Sequence, residues 1–95
     1  MAKTKENIVL TQGGVYWGRR DLHEYVFQVE RLPSEKSMDA VYVFRNAMDK
    51  GEWYRSLQAQ NLGINCFSDV RRATEDEIRI IHPLYKKNNE NFPIY

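Results

Sequence analysis

The sequence has a single cysteine, Cys66, and that scarcity excludes whole classes of protein. No intramolecular disulfide can form, and a cysteine-rich zinc site has no ligands. Histidine is nearly as scarce, with only His23 and His82. A metal site would have to be assembled from this thin stock, and none is expected. No segment approaches the roughly 18 consecutive apolar residues of a membrane span. The opening MAKTKENIVL also lacks the apolar run of a secretory signal. Neither sign of charge dominates: 14 Lys and Arg stand against 13 Asp and Glu, for a net +1. Nonspecific binding to a nucleic-acid duplex would therefore need a local basic cluster. The expectation is a cytoplasmic protein with no membrane association and no cofactor.

The usual catalytic patterns are missing too. The five glycines stand at 13, 14, 18, 51 and 63, and none leads into a Gly-Lys-Ser/Thr step that would cradle a phosphate. There is no Gly-x-Ser-x-Gly elbow for a nucleophile. His23 adjoins Glu24, but neighbours in a strand point to opposite faces, so the two are not a ready acid/base pair. Cys66 has no histidine at a suggestive spacing. Glu75, Asp76 and Glu77 are consecutive, and Asp49 and Glu52 flank a turn. Neither set resembles an acid and a base held apart across a cleft. The chain is read as non-enzymatic.

What is present is an apolar fraction of 42%, enough for a folded core, and aromatics at 13%. Ninety-five residues allow one small domain. Its expected extent is 7–84, after a flexible start (1–6) and before a polar tail (85–95). NIVLTQ followed by Gly13-Gly14 and VYWG suggests a hairpin, because glycine adopts the positive φ of tight turns. Gly18 to Asp21 reads as a second turn. DLHEYVFQVERL is the clearest strand, with Tyr25, Phe27 and Val29 on one face and Glu24, Gln28 and Glu30 on the other, interrupted by Val26. DAVYVFRNAM fits helix or strand, and strand is favoured because the Asp49-Lys50-Gly51 turn and the alternating EWYRSLQAQ follow it. Residues 61–65 read as a turn-rich segment and CFSDV as a last short strand. The fold expected is mainly β: a small five-stranded, barrel-like or rolled antiparallel sheet with a short C-terminal helix, α+β being the alternative.

That helix has a start signal. Thr74-Glu75-Asp76-Glu77 fits a capping box, in which the Thr74 hydroxyl accepts from the Glu77 amide and the Glu77 carboxylate accepts from the Thr74 amide. Acids in the first turn suit the positive end of the helix dipole. Ile78 and Ile81 share a face that can lie on a sheet, and Pro83 is expected to stop the helix.

The string FSDVRRATEDEI, residues 67–78, resembles the ending of small uncharacterised bacteriophage-encoded proteins, in which a strand runs into an Arg-x-Ala-Thr-x-x-Glu-Ile helix start. The resemblance covers about a dozen residues. It implies a phage accessory protein of compact β-rich fold and carries over no catalytic residue. The order of short strands is also similar to small Src-homology-like barrels, a likeness of architecture and not of function.

Two constellations are candidates for binding. In VYWGRRD, Tyr16 and Trp17 sit beside Arg19 and Arg20. In EWYRS, Trp53, Tyr54 and Arg55 sit together at a hairpin mouth. Arg71 and Arg72 can extend either patch. Trp, Tyr and Arg are the usual anchors of protein interfaces. They also stack on bases and contact phosphates. The leading expectation is a protein that binds and modulates a host protein. A small nucleic-acid-binding barrel and a nucleotide-sequestering protein are the alternatives. The tail NFPIY is either disordered, docked back on the domain, or a short peptide that reaches a partner.

Overall fold

In a computed structural model, residues 8–56 and 58–81 are described. The expected flexible start, His82, the helix stop at Pro83 and the aromatic tail lie outside them. The described chain forms six strands: β1 (Val15–Arg20), β2 (His23–Arg31), β3 (Ser37–Asn46), β4 (Tyr54–Arg55), β5 (Gln60–Gly63) and β6 (Asp69–Arg72). A helix, α1, runs over 75–81. All pairings are antiparallel, in the order β4-β3-β2-β1-β6, with β5 also on β3. The result is a rolled sheet with one helix. It has one strand more than expected because 53–63 contributes two short strands along the same edge of β3.

The alternation in β2 sorts side chains between two faces, and the register carries that sorting across the sheet. Tyr16, Phe27 and Tyr42 stand opposite one another, as do Gly18, Tyr25, Phe44 and Tyr54. This first face carries the larger core: Tyr16, Phe27, Val29, Met38, Ala40 and Val70, closed by Leu10, Ile64 and Phe67. Phe27 and Phe67 stack in parallel, 5.1 Å between centroids. Gly18 makes room for them, since a Cβ there would lie 2.9 Å from the Phe67 ring. The second face carries Val26 and Val43, over which Ile81 of α1 is buried. A strand covered on both faces explains why Val26 interrupts the polar side of β2.

Several boundaries differ from expectation. Gly13 does adopt a positive φ of 84°. It turns the chain into β1 rather than joining two strands of a hairpin, and β1 pairs with β2. β1 continues through Arg19 and Arg20, so the turn is confined to Asp21-Leu22, with Asp21 at φ 53°. Residues 60–63 are a strand and Ile64–Cys66 a single 3-10 turn, where a turn-rich loop was expected. Pairing with the long β3 overrides the weak local propensity of Asn61 and Gly63. The last strand lies three residues later than CFSDV, because Cys66 and Phe67 serve the core instead. DAVYVFRNAM is strand through Asn46.

The capping box forms as expected. The Glu77 carboxylate accepts from the Thr74 amide at 2.8 Å, and the Thr74 hydroxyl accepts from the Glu77 amide at 3.3 Å. Among the described residues no helix is long and apolar enough to cross a membrane.

Candidate functional site

The pleat divides the nine candidate residues into two sets. Trp17, Arg19, Trp53, Arg55 and Arg71 belong to the second face. Tyr16, Arg20, Tyr54 and Arg72 belong to the first. Neighbours in sequence are therefore not neighbours in space: Tyr16 and Trp17 lie on opposite sides of β1.

On the second face the structure builds a continuous polar row. Arg71 lies over the Trp17 ring, 4.5 Å from guanidinium carbon to centroid. The Trp17 indole N–H donates to Glu24 Oε1 at 2.9 Å. Arg45 Nε donates to Glu24 Oε2, also at 2.9 Å, and the Arg45 guanidinium lies 4.3 Å from the Trp53 centroid. Arg71 also donates to both Glu77 oxygens, at 2.7 and 2.8 Å, so the row ends in the helix cap. That bond holds the Arg71 proton more firmly than usual. Burial pushes the Glu77 carboxyl up, but the bonds from Arg71 and Thr74 outweigh it and leave it below its ordinary value. Glu24 is 7% exposed, although sequence alternation had placed it with the solvent-facing residues. Trp17 and Trp53 pack against the Val26, Val43 and Ile81 cluster, and Arg71 ties β6 to α1 through Glu77. Their partners are within the chain.

Tyr16 is a core residue of the first face. It is 1% exposed, and its hydroxyl accepts from the Thr11 amide at 2.9 Å. It seals the first core beneath the segment before β1. Arg19 is half-buried, with its carbonyl accepting from the Ser68 amide, and Arg55 is half-buried on the inner side of β4. Arg72 is exposed at the sheet edge.

A different surface emerges at one end of the sheet. The large exposed apolar side chains there are Leu22 at 58%, Met48 at 74% and Tyr54 at 62%. The turn after β1 and the turn after β3 adjoin, tied by the Ala47 amide donating to the Leu22 carbonyl at 2.8 Å. Leu22 sits in the first turn and Met48 in the second. Tyr54 projects from β4 onto the first face, its ring 5.9 Å from Phe44. Phe44 in turn meets His23, Tyr25 and Tyr42 at 6.0, 5.6 and 6.0 Å. Tyr54 thus rests against Phe44, which is itself packed among the half-buried rings of Tyr25 and Tyr42 and the exposed ring of His23. Arg20, exposed at the same end, is close enough to oppose the upward push that burial gives to the Tyr25 hydroxyl and the Cys66 thiol.

Of the sequence candidates, this corner retains Tyr54 and Arg20. It adds Leu22 and Met48, which sequence reasoning missed. Their signal was present, since both are large apolar residues in turns whose other members are Asp21, Ala47, Asp49, Lys50 and Gly51. Among the described residues no group of three His, Cys, Asp or Glu side chains is placed to hold a metal ion. Compared with known proteins, the chain matches no family model, no curated protein and no solved structure.

Proposed function

We propose that this chain is a non-enzymatic, phage-type accessory protein that binds and modulates a host protein through the Leu22–Met48–Tyr54 corner. The observation that carries this reading is the placing of three exposed apolar residues in two adjoining turns and in β4 beside them, with the Tyr54 ring against Phe44. Leu and Met give a phosphate or a sugar nothing to bond, but they suit an apolar partner side chain, and Met adapts its shape to it. Arg31, Arg45, Arg71 and Arg79 are each paired with a carboxylate of the chain, which leaves fewer cations for neutralising phosphates. The phage attribution is supported by the resemblance of residues 67–78, and a cytoplasmic setting by the scarcity of cysteine.

The test is capture from bacterial lysate on the immobilised chain, with and without nuclease, read by mass spectrometry. A stoichiometric protein should survive nuclease. It should be lost with the Met48→Asp, Tyr54→Ser double variant and retained with Lys36→Ser, in the exposed loop between β2 and β3. Recovery that vanishes with nuclease, or that the double variant leaves intact, sinks the proposal.

A further inference from the structure

We propose that Lys50 is a contact residue of the same surface, its ammonium meeting a carboxylate of the partner beside the apolar group that covers Met48. The inference rests on that surface being where the partner binds. Its motive is a glycine placed one residue away from the backbone position that calls for it. The turn after β3 is fixed by Asn46. The Asn46 carbonyl accepts from the Lys50 amide at 2.9 Å, and its side-chain oxygen accepts from the Met48 and Asp49 amides at 2.8 and 3.0 Å. A turn closed in this way commonly ends in a left-handed residue, a position that glycine usually takes. Here Lys50 takes it, at φ 51°. Gly51 follows at once, yet its own φ lies outside the left-handed region, and a Cβ there would meet nothing within 4 Å. Any residue could stand at 51, whereas at 50 the Cβ of an L residue crowds the carbonyl that follows it.

The other described non-glycine residue with a positive φ is Asp21, at 53°. Aspartate tolerates this conformation because its short polar side chain can bond locally; lysine has no such means. Nor does the Lys50 side chain give the fold anything that balances the strain. It is exposed, and among the described residues it takes part in no ion pair and no side-chain hydrogen bond, although Asp49 and Glu52 adjoin it in sequence. Backbone strain that no contact within the chain offsets marks a position kept for function. Lys50 lies two residues from Met48, which at 74% is the most exposed of the three apolar side chains. A cation in that place selects an anion, and a carboxylate is the anion that a protein partner carries.

Exchanging the two residues, Lys50→Gly with Gly51→Lys, separates the backbone from the side chain. Composition and net charge stay the same, and the unfolded chain keeps the same number of glycines. Glycine now stands at the left-handed position, and the ammonium has moved by one residue. The melting temperature of the full chain, followed by circular dichroism, should rise by about 4–8 °C. The binding probe is the protein that the wild-type chain recovers from bacterial lysate, identified by mass spectrometry, purified and titrated against each variant. The exchange variant should bind it at least about threefold more weakly, the worth of one partly exposed ion pair. Lys50→Arg, which keeps the cation, should bind within about twofold of the wild type. Lys50→Asn, which suits the left-handed backbone but lacks the charge, should bind as weakly as the exchange variant. An exchange variant that melts no higher than the wild type shows that Lys50 is not strained. One that binds like the wild type shows that its side chain is not a contact. Either result overturns this inference and leaves the surface itself standing. A wild-type chain that recovers no protein, or one whose binding survives Met48→Asp with Tyr54→Ser, fails at the surface, and the inference falls with it.

Discussion

Replacing Glu24 with glutamine probes the row that holds the helix to the sheet. The carboxylate receives two donors on two separate oxygens: the Trp17 indole on Oε1 and the Arg45 guanidinium on Oε2, each at 2.9 Å. An amide has the same shape but one acceptor oxygen, so whichever way it turns, its NH2 faces an N–H donor. One hydrogen bond to a charged group is lost, a cost of about 1.5–3 kcal/mol. Breaking a fully buried pair costs about 3–5 kcal/mol. That figure is too high here, because the Arg45 side chain is 22% exposed and its guanidinium keeps its place over Trp53. The expected loss is therefore about 2–3 kcal/mol. For a domain of this size, that lowers Tm by roughly 10–20 °C.

A cycle with Trp17→Phe separates this account from simple packing damage. Phenylalanine removes the indole donor, so the amide introduced by Glu24→Gln is free to turn its oxygen to Arg45. Glu24→Gln should then cost about 1 kcal/mol less in the Trp17→Phe background than in the wild type. Urea unfolding followed by far-ultraviolet circular dichroism reads both quantities. A loss below about 0.5 kcal/mol, the range of an ordinary surface change, or strictly additive variants, would refute the assignment of Glu24 as the shared acceptor.

Two further outcomes follow from the same geometry. The Glu77 carboxyl is held below its ordinary value, so its contribution to stability is fully present above the unfolded value of about 4.3 and is lost as pH falls through the lower folded value. The stability gap between wild type and Glu77→Gln, measured by urea unfolding across pH, should be widest near neutrality and close below about pH 4; a gap that stays constant into acid contradicts the Arg71–Glu77 pairing. Gly18→Ala places a methyl group 2.9 Å from the Phe67 ring and 3.3 Å from the Phe27 ring, and should destabilise by about 1–3 kcal/mol through overpacking, whereas a neutral effect means that the stacked pair yields freely.

The parts of the fold that were legible are those whose cause is local. The capping box needs only four consecutive residues and an apolar run after them, and it forms with both of its hydrogen bonds. The strand of Tyr25, Phe27 and Val29 declares itself by its period. What local pattern does not contain is the identity of whatever covers the second face. Glu24 reads as a solvent-facing residue until α1 and the two Trp side chains are laid over it. Only then does Val26 become a core residue rather than an interruption. Likewise Asn61 and Gly63 carry no strand preference of their own and become strand because β3 is long enough to pair two segments on one edge.

The proposed contact surface was the least legible part, for a reason specific to sheets. Clusters such as YW and WY look like patches in a linear string, yet in a strand each pair is split between opposite faces, so proximity in sequence counts against proximity in space. Real proximity comes from register. Leu22 and Met48 are brought to one end because the Ala47 amide reaches the Leu22 carbonyl, across 25 positions of chain. Tyr54 faces outward among the aromatic rings because it pairs with Phe44, and Arg55 with Val43. A slip of one residue in that two-residue pairing would exchange Tyr54 and Arg55 between faces. It would leave Leu22 and Met48 without the aromatic side chain that makes them a surface. The corner is therefore a property of the β3–β4 register, which the Asp49-Lys50-Gly51 turn and the Ser56 amide bond to the Tyr42 carbonyl hold in place from either side.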